Sequence, residues 1–151
     1  MKTSPLAKKS KSEVSRVKDR IQALLRQIAL LRDGGCVLQD AVPQFPDLPQ
    51  CNGFTKAGNL ILQYDHLNSR GFNVSFADTR LGVILCKGHH GWKHFTDANK
   101  KRYDAIMRKL IGAARTKLWD RVEGDQHTYP MTLWDWQKQE IALRAELKSL
   151  F

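Results

Sequence analysis

Cysteine is scarce in this chain. There are three, an odd number, which argues against a disulfide framework and leaves burial or metal ligation as their role. Long apolar runs are missing too. No stretch approaches the roughly 20 residues that a membrane span requires, and the N-terminus has no apolar core of a secretory signal. The expectation is a cytoplasmic protein that makes no use of a membrane. Acidic residues are outnumbered, 15 against 25 Lys and Arg, giving a formal charge of +10. That surplus is the electrostatic footprint of a nucleic-acid binder, although acidic membranes also attract basic proteins. No internal repeat is visible, and 151 residues suit one domain with a modest core.

Residues 1–11 carry Lys2, Lys8, Lys9 and Lys11 and little that is apolar, the composition of a flexible basic tail, either solvated or resting on phosphates. Residues 12–32 read as a helix. Val14, Val17, Ile21, Leu24, Leu25, Ile28 and Leu31 recur at spacings of three and four, Ser12 is placed to cap the start, and Asp33-Gly34-Gly35 stops it. Arg16, Lys18, Arg20 and Arg26 fall mostly off that stripe, predicting a basic outer face. Three of the five prolines, Pro43, Pro46 and Pro49, lie between Cys36 and Cys51, so residues 36–59 read as a loop with little core of its own. Two cysteines flanking it suggest a metal that ties its base together.

Beyond the loop the pattern changes. Residues 60–65 form a short apolar strand, residues 68–78 a polar loop containing Gly71, and residues 81–85 (LGVIL) a second strand ending at Cys86. A helix is expected over residues 93–111, starting as early as His89, with further helices over 113–122 and 133–150. Residues 125–130 separate those two, and Thr132 is the expected N-cap of the last. Trp92, Trp119, Trp134 and Trp136 are expected mostly in the core. Trp134 and Trp136 are two apart and cannot share a helix face, so one of them should be partly exposed.

Chemistry concentrates in residues 62–95. Asp65-His66 ends the first strand, and Cys86-x2-His89-His90-x3-His94 spans the second strand's end and the helix start. Four of the five histidines lie here, a density that packing does not explain and that points to metal-dependent nuclease chemistry. Strand, loop, strand and helix with ligands at both ends is the ββα-metal plan. On Asp65-His66 and Cys86-Lys87-Gly88-His89-His90 the chain resembles the HNH endonuclease family over roughly residues 33–95. More narrowly, it is similar to phage recombination endonucleases of the NinG/Rap kind and to phage Holliday-junction resolvases, which set helices before and after a zinc-bound core. The resemblance implies an α+β fold. A ββα-metal core over residues 33–111 would be flanked by helices at 12–32 and 113–151, all in one nuclease domain of residues 12–151.

The resemblance also implies roles. Asp65 would ligate a catalytic divalent ion together with His90, and His94, four residues on and on the same helical face, completes the set. His66 would be the general base, a task suited to imidazole. An oxygen ligand with imidazoles suits Mg²⁺ or Mn²⁺, with Ni²⁺ and Zn²⁺ also compatible. Cys36, Cys51, Cys86 and His89 match the positions of a structural zinc site, and Cys3His is an established tetrahedral set. Arg70, Arg80, Lys87 and Lys93 flank the motif and are candidates for phosphate contacts. The implied partner is DNA, duplex or branched.

Two departures from the family pattern stand out. Cys36 and Cys51 are separated by residues 37–50 where the family has a gap of two. The asparagine that orients the base is replaced by Leu81, so His66 needs another partner; Asn68, Asn73, Asp78, Thr79 and the backbone carbonyls of residues 68–79 are the candidates. The main expectation is a DNA endonuclease. A Holliday-junction or branched-DNA resolvase, which would call for a homodimer, is one alternative. A catalytically silent zinc-bound DNA-binding accessory protein is the other.

Overall fold

The computed structural model describes residues 11–69, 73–125 and 129–151. The first helix, α1, spans Glu13–Asp33. Ser12 Oγ accepts the Ser15 N–H at 3.2 Å at its start. Gly34, at φ 73°, closes the other end and donates its N–H to the Leu30 carbonyl, the left-handed stop that glycine permits. The buried face is the expected stripe with one change: Ala29 is buried, while Leu31 is 53 % exposed.

Two strands form the sheet. β1 (Leu62–His66) pairs antiparallel with β2 (Gly82–Cys86), in a register that sets Leu62 opposite Cys86 and His66 opposite Gly82. The connection is not the plain loop the sequence suggested. It contains a one-turn helix, α2 (Asn73–Phe76), and a 3-10 turn over Thr79–Leu81. Asp78 caps that turn by accepting the Arg80 N–H at 3.0 Å. Leu81 therefore lies in the turn rather than in the second strand. Gly82 makes room for the Tyr64 ring, since a Cβ there would stand 2.0 Å from the ring's hydroxyl end and force it to shift.

After β2, the single helix expected over 93–111 is two helices, α3 (Lys87–Phe95) and α4 (Asp97–Leu110). Thr96 adopts an extended conformation and its side chain accepts the Asn99 N–H, so one helix ends and the next begins. Asn99 Nδ2 donates back to the Trp92 carbonyl at 2.9 Å, satisfying an end group of α3. α5 (Ala113–Gly124) and α6 (Leu133–Ser149) follow, α6 opening with a capping box between Thr132 and Asp135. Trp136 is buried and Trp134 is 62 % exposed, as their spacing requires.

β2 is buried on both faces. Val83 and Leu85 pack with Tyr103, Ile106 and Met107 of α4 and Trp119 of α5. Ile84, pointing the other way, joins Tyr64 of β1, the α1 stripe, and Trp136 and Leu143 of α6. The outer edge of β2 is covered as well: Ile84 donates its N–H to Asp33 Oδ2 at 3.0 Å and accepts from the Val37 N–H at 3.0 Å, which removes an edge open to other strands. The basic face of α1 is partly consumed by α6. Arg20 pairs with Glu140 at 2.9 Å, and Lys18 lies 4.9 Å from the Trp136 ring. Among the described residues no helix is long and apolar enough to cross a membrane.

Candidate metal centres and active-site cleft

Cys36 follows the stop of α1, Cys51 ends the proline-containing segment, Cys86 ends β2, and His89 lies in the first turn of α3. Their ligand atoms all lie within 4.8 Å of one another. His89 Nδ1 is 3.4 Å from Cys36 Sγ, 3.6 Å from Cys51 Sγ and 3.2 Å from Cys86 Sγ. Around a tetrahedral zinc with ordinary bond lengths, sulfur and nitrogen ligand atoms stand about 3.6 Å apart, so the spacing fits. His89 Nε2 donates to the Pro49 carbonyl at 2.7 Å, which fixes the tautomer and turns the Nδ1 lone pair toward the sulfurs. None of the three cysteines is in a disulfide. Burial raises the Cys36 thiol above its ordinary range and the Cys51 thiol well above it, and the thiol neighbours raise Cys51 further. A cation is the natural counterweight for thiolates in such a place.

The wide gap between Cys36 and Cys51 is closed by packing. Leu38, Ala41 and Leu48 are buried in the core beneath α4 and α5, so the segment is better anchored than its proline content suggested. Two glycines then seat the Cys51 arm on α3. Gly53 holds φ 91°, and the Gly88 N–H donates to the Asn52 carbonyl at 2.9 Å. A Cβ on Gly88 would meet that carbonyl oxygen at 2.8 Å.

Adjacent residues on a helix point about 100° apart. His89 therefore faces the thiols while His90, the next residue, faces a cleft of about 660 Å³ lined also by Asp65, His66, Lys93 and His94. The ligand atoms of Asp65, His90 and His94 lie within 4.8 Å of one another. Asp65 Oδ1 is 3.1 Å from His90 Nδ1, and the His90 and His94 ring centroids are 4.8 Å apart. Burial would raise the Asp65 carboxyl, but the hydrogen bond with His90 and the charge of Lys93 outweigh it and hold the group at about 2. Burial, with Lys93 and His90 nearby, lowers His94. Asp65 is thus an anion and His94 a neutral imidazole near neutral pH, the forms that bind cations.

His66 is buried at the end of β1, its ring edge-on to Tyr64 at 4.9 Å. Its Nε2 donates to the Phe76 carbonyl at 3.0 Å. This is one of the backbone carbonyls in residues 68–79 that the missing asparagine left as candidates. The bond puts a ring proton on Nε2 and fixes the plane of the ring. Leu81 is 1 % exposed and packs in the α4 and α5 core. Its carbonyl accepts the Leu67 N–H at 2.9 Å, so its backbone, not its side chain, supports the segment after His66.

The four candidate phosphate contacts fare differently. Lys93 is no surface cation: it is 2 % exposed and its Nζ pairs with Asp65 Oδ2 at 2.7 Å. The reason is its position on the inner face of α3, one helical turn beyond His89. Arg80 pairs with Asp78 at 2.7 Å and lines a separate hollow with Glu146. Lys87 is exposed in the first turn of α3. Arg70 and residues 1–10 of the basic tail lie outside the described residues.

Sequence reasoning missed Tyr103, whose hydroxyl donates to Asp65 Oδ2 at 2.6 Å. It also missed the role of Asn68, whose amide donates to Glu123 at 2.8 Å and ties the segment after His66 to α5. Both bonds join residues far apart in the chain, and no local pattern signals them. Comparison of the chain with protein-family models, with curated proteins and with solved structures finds no match in any of the three.

Proposed function

We propose that the protein is a metal-dependent DNA endonuclease of the HNH type, acting in phage DNA processing or recombination. The observation that carries this reading is a single cleft. It holds a carboxylate and two imidazoles gathered within 4.8 Å beside His66, whose Nε2 is fixed by the Phe76 carbonyl at 3.0 Å. Asp65, His90 and His94 would hold a divalent cation, Mg²⁺ or Mn²⁺. When bound, such an ion supplies Lewis-acid stabilisation of the charge that develops on the phosphate and on the leaving oxygen. His66 Nδ1 takes a proton from water as its oxygen bonds to phosphorus and the bond to the 3′ oxygen breaks. The Cys36, Cys51, Cys86 and His89 site stands apart from this chemistry and fixes the start of α3, and so the placement of His90. The formal charge of +10 supports DNA as the substrate, with affinity drawn from phosphate contacts.

The direct test is nicking of supercoiled plasmid by zinc-loaded protein. Nicking is expected with Mg²⁺ or Mn²⁺ present and none without them. Equal nicking in both, or none in either, sinks the reading.

Leu81→Asn checks how His66 is oriented. Loss of buried apolar surface and burial of an amide should cost about 1–3 kcal/mol of stability. The nicking rate should not rise, because the Phe76 carbonyl already does what the family's asparagine does. A several-fold gain in rate would show that the natural site lacks an orienting group.

A further inference from the structure

Asp65 has more buried partners than ligation alone requires. Its Oδ2 accepts from the Tyr103 hydroxyl at 2.6 Å and from Lys93 Nζ at 2.7 Å, whereas Oδ1 faces His90 Nδ1 at 3.1 Å. Tyr103 is 0 % exposed and comes from α4, outside the strand and helix that carry the recognisable motifs. Its hydroxyl is the donor in this contact, because an ionised carboxylate oxygen can only accept. Lys93 lies 4.4 Å from the Tyr103 ring, which braces the ammonium from one side.

We propose that Tyr103 is a positioning residue for the metal centre: it fixes the Asp65 carboxylate through Oδ2 so that a divalent cation meets Oδ1 alone. The inference rests on the reading that Asp65, His90 and His94 bind such a cation. Two donors at one carboxylate oxygen occupy the lone pairs a second bond to the ion would need. One oxygen and two imidazoles leave coordination positions for phosphate and water; a carboxylate bound through both oxygens fills one of them. Lys93 shares Oδ2, but an ammonium is a point charge with rotating donors. The Tyr103 hydroxyl sits on a rigid ring locked in the core beside Ile106 and Met107, and sets an angle.

Tyr103→Phe removes the hydroxyl and keeps the ring. Titration of zinc-loaded parent and variant with Mn²⁺ should show affinity weaker by about 10–100-fold in the variant, the usual effect of losing a group that orients a ligand. Bound zinc should stay the same. A purely structural role would lower the unfolding midpoint and leave Mn²⁺ affinity at the parental value, which overturns the proposal. The parent gives a second readout that does not depend on the variant folding. In its infrared difference spectrum on Mn²⁺ binding, widely split carboxylate stretches mark ligation through one oxygen, and narrowly split ones refute it. A parent that takes up no Mn²⁺ overturns the metal reading and this inference together. A parent that binds Mn²⁺ with the expected difference but nicks no DNA overturns only the nuclease reading.

Discussion

Replacing His66 by Ala is expected to lower DNA cleavage by about 10²–10⁴-fold, the ordinary worth of a general base, and to leave DNA affinity nearly unchanged. The two outcomes separate because they draw on different parts of the molecule. On the proposed reading, affinity would come from Lys and Arg side chains meeting phosphates and would fall with salt. Rate would depend on the orientation of the His66 ring, which the bond from Nε2 to the Phe76 carbonyl fixes. Removing the ring also leaves that carbonyl without its donor and opens a gap beside Tyr64 and Phe76, so some stability is lost as well. Single-turnover cleavage at saturating protein, with binding measured separately by anisotropy, isolates the chemical step. Parental rates in the variant would remove His66 from the mechanism.

Purification without added metal should yield about one tightly held zinc per chain, and Cys36→Ser or Cys51→Ser should abolish it. Stability should then fall by on the order of 4–5 kcal/mol, a loss seen when a metal, a core or a buried pair is removed. Three segments converge at this site: the stop of α1 at Cys36, the arm that Gly53 and Gly88 seat on α3, and the end of β2. Without the ion, two thiols that burial makes reluctant to ionise and a neutral imidazole attract one another weakly, and the packing of Leu38, Ala41 and Leu48 is left to hold the segment. Zinc binding displaces thiol protons, so affinity declines as pH falls. Metal analysis by mass spectrometry and urea unfolding check the two halves of the expectation. A folded, stable preparation without zinc would refute it.

Much of the local architecture was legible in the sequence, because short-range rules fix it. Ser12 and Asp33-Gly34 bound α1 as expected, since capping and the left-handed stop need only neighbouring residues. Thr132 caps α6 for the same reason. The break at Thr96 carried a cap signal, a threonine just before an acidic residue, which the continuous helical pattern on either side obscured. The 3-10 turn that removes Leu81 from β2 had no comparable periodicity.

By itself the sequence determined which ligand types exist and how they are aimed within one element. Asp65 and His66 end a strand. His89 and His90 diverge on one helical turn, so two candidate metal-binding clusters can share α3. Those directions follow from strand and helix geometry alone. Tertiary structure decided the rest. Packing of Leu38 and Leu48 on the core returns Cys51 to Cys36. The fold of α2 brings the Phe76 carbonyl to His66. The seating of α4 against α3 buries Lys93 and delivers the Tyr103 hydroxyl to Asp65. Each of these contacts joins segments distant in the chain, and its geometry is set by how helices close over both faces of β2, which no short stretch of sequence encodes.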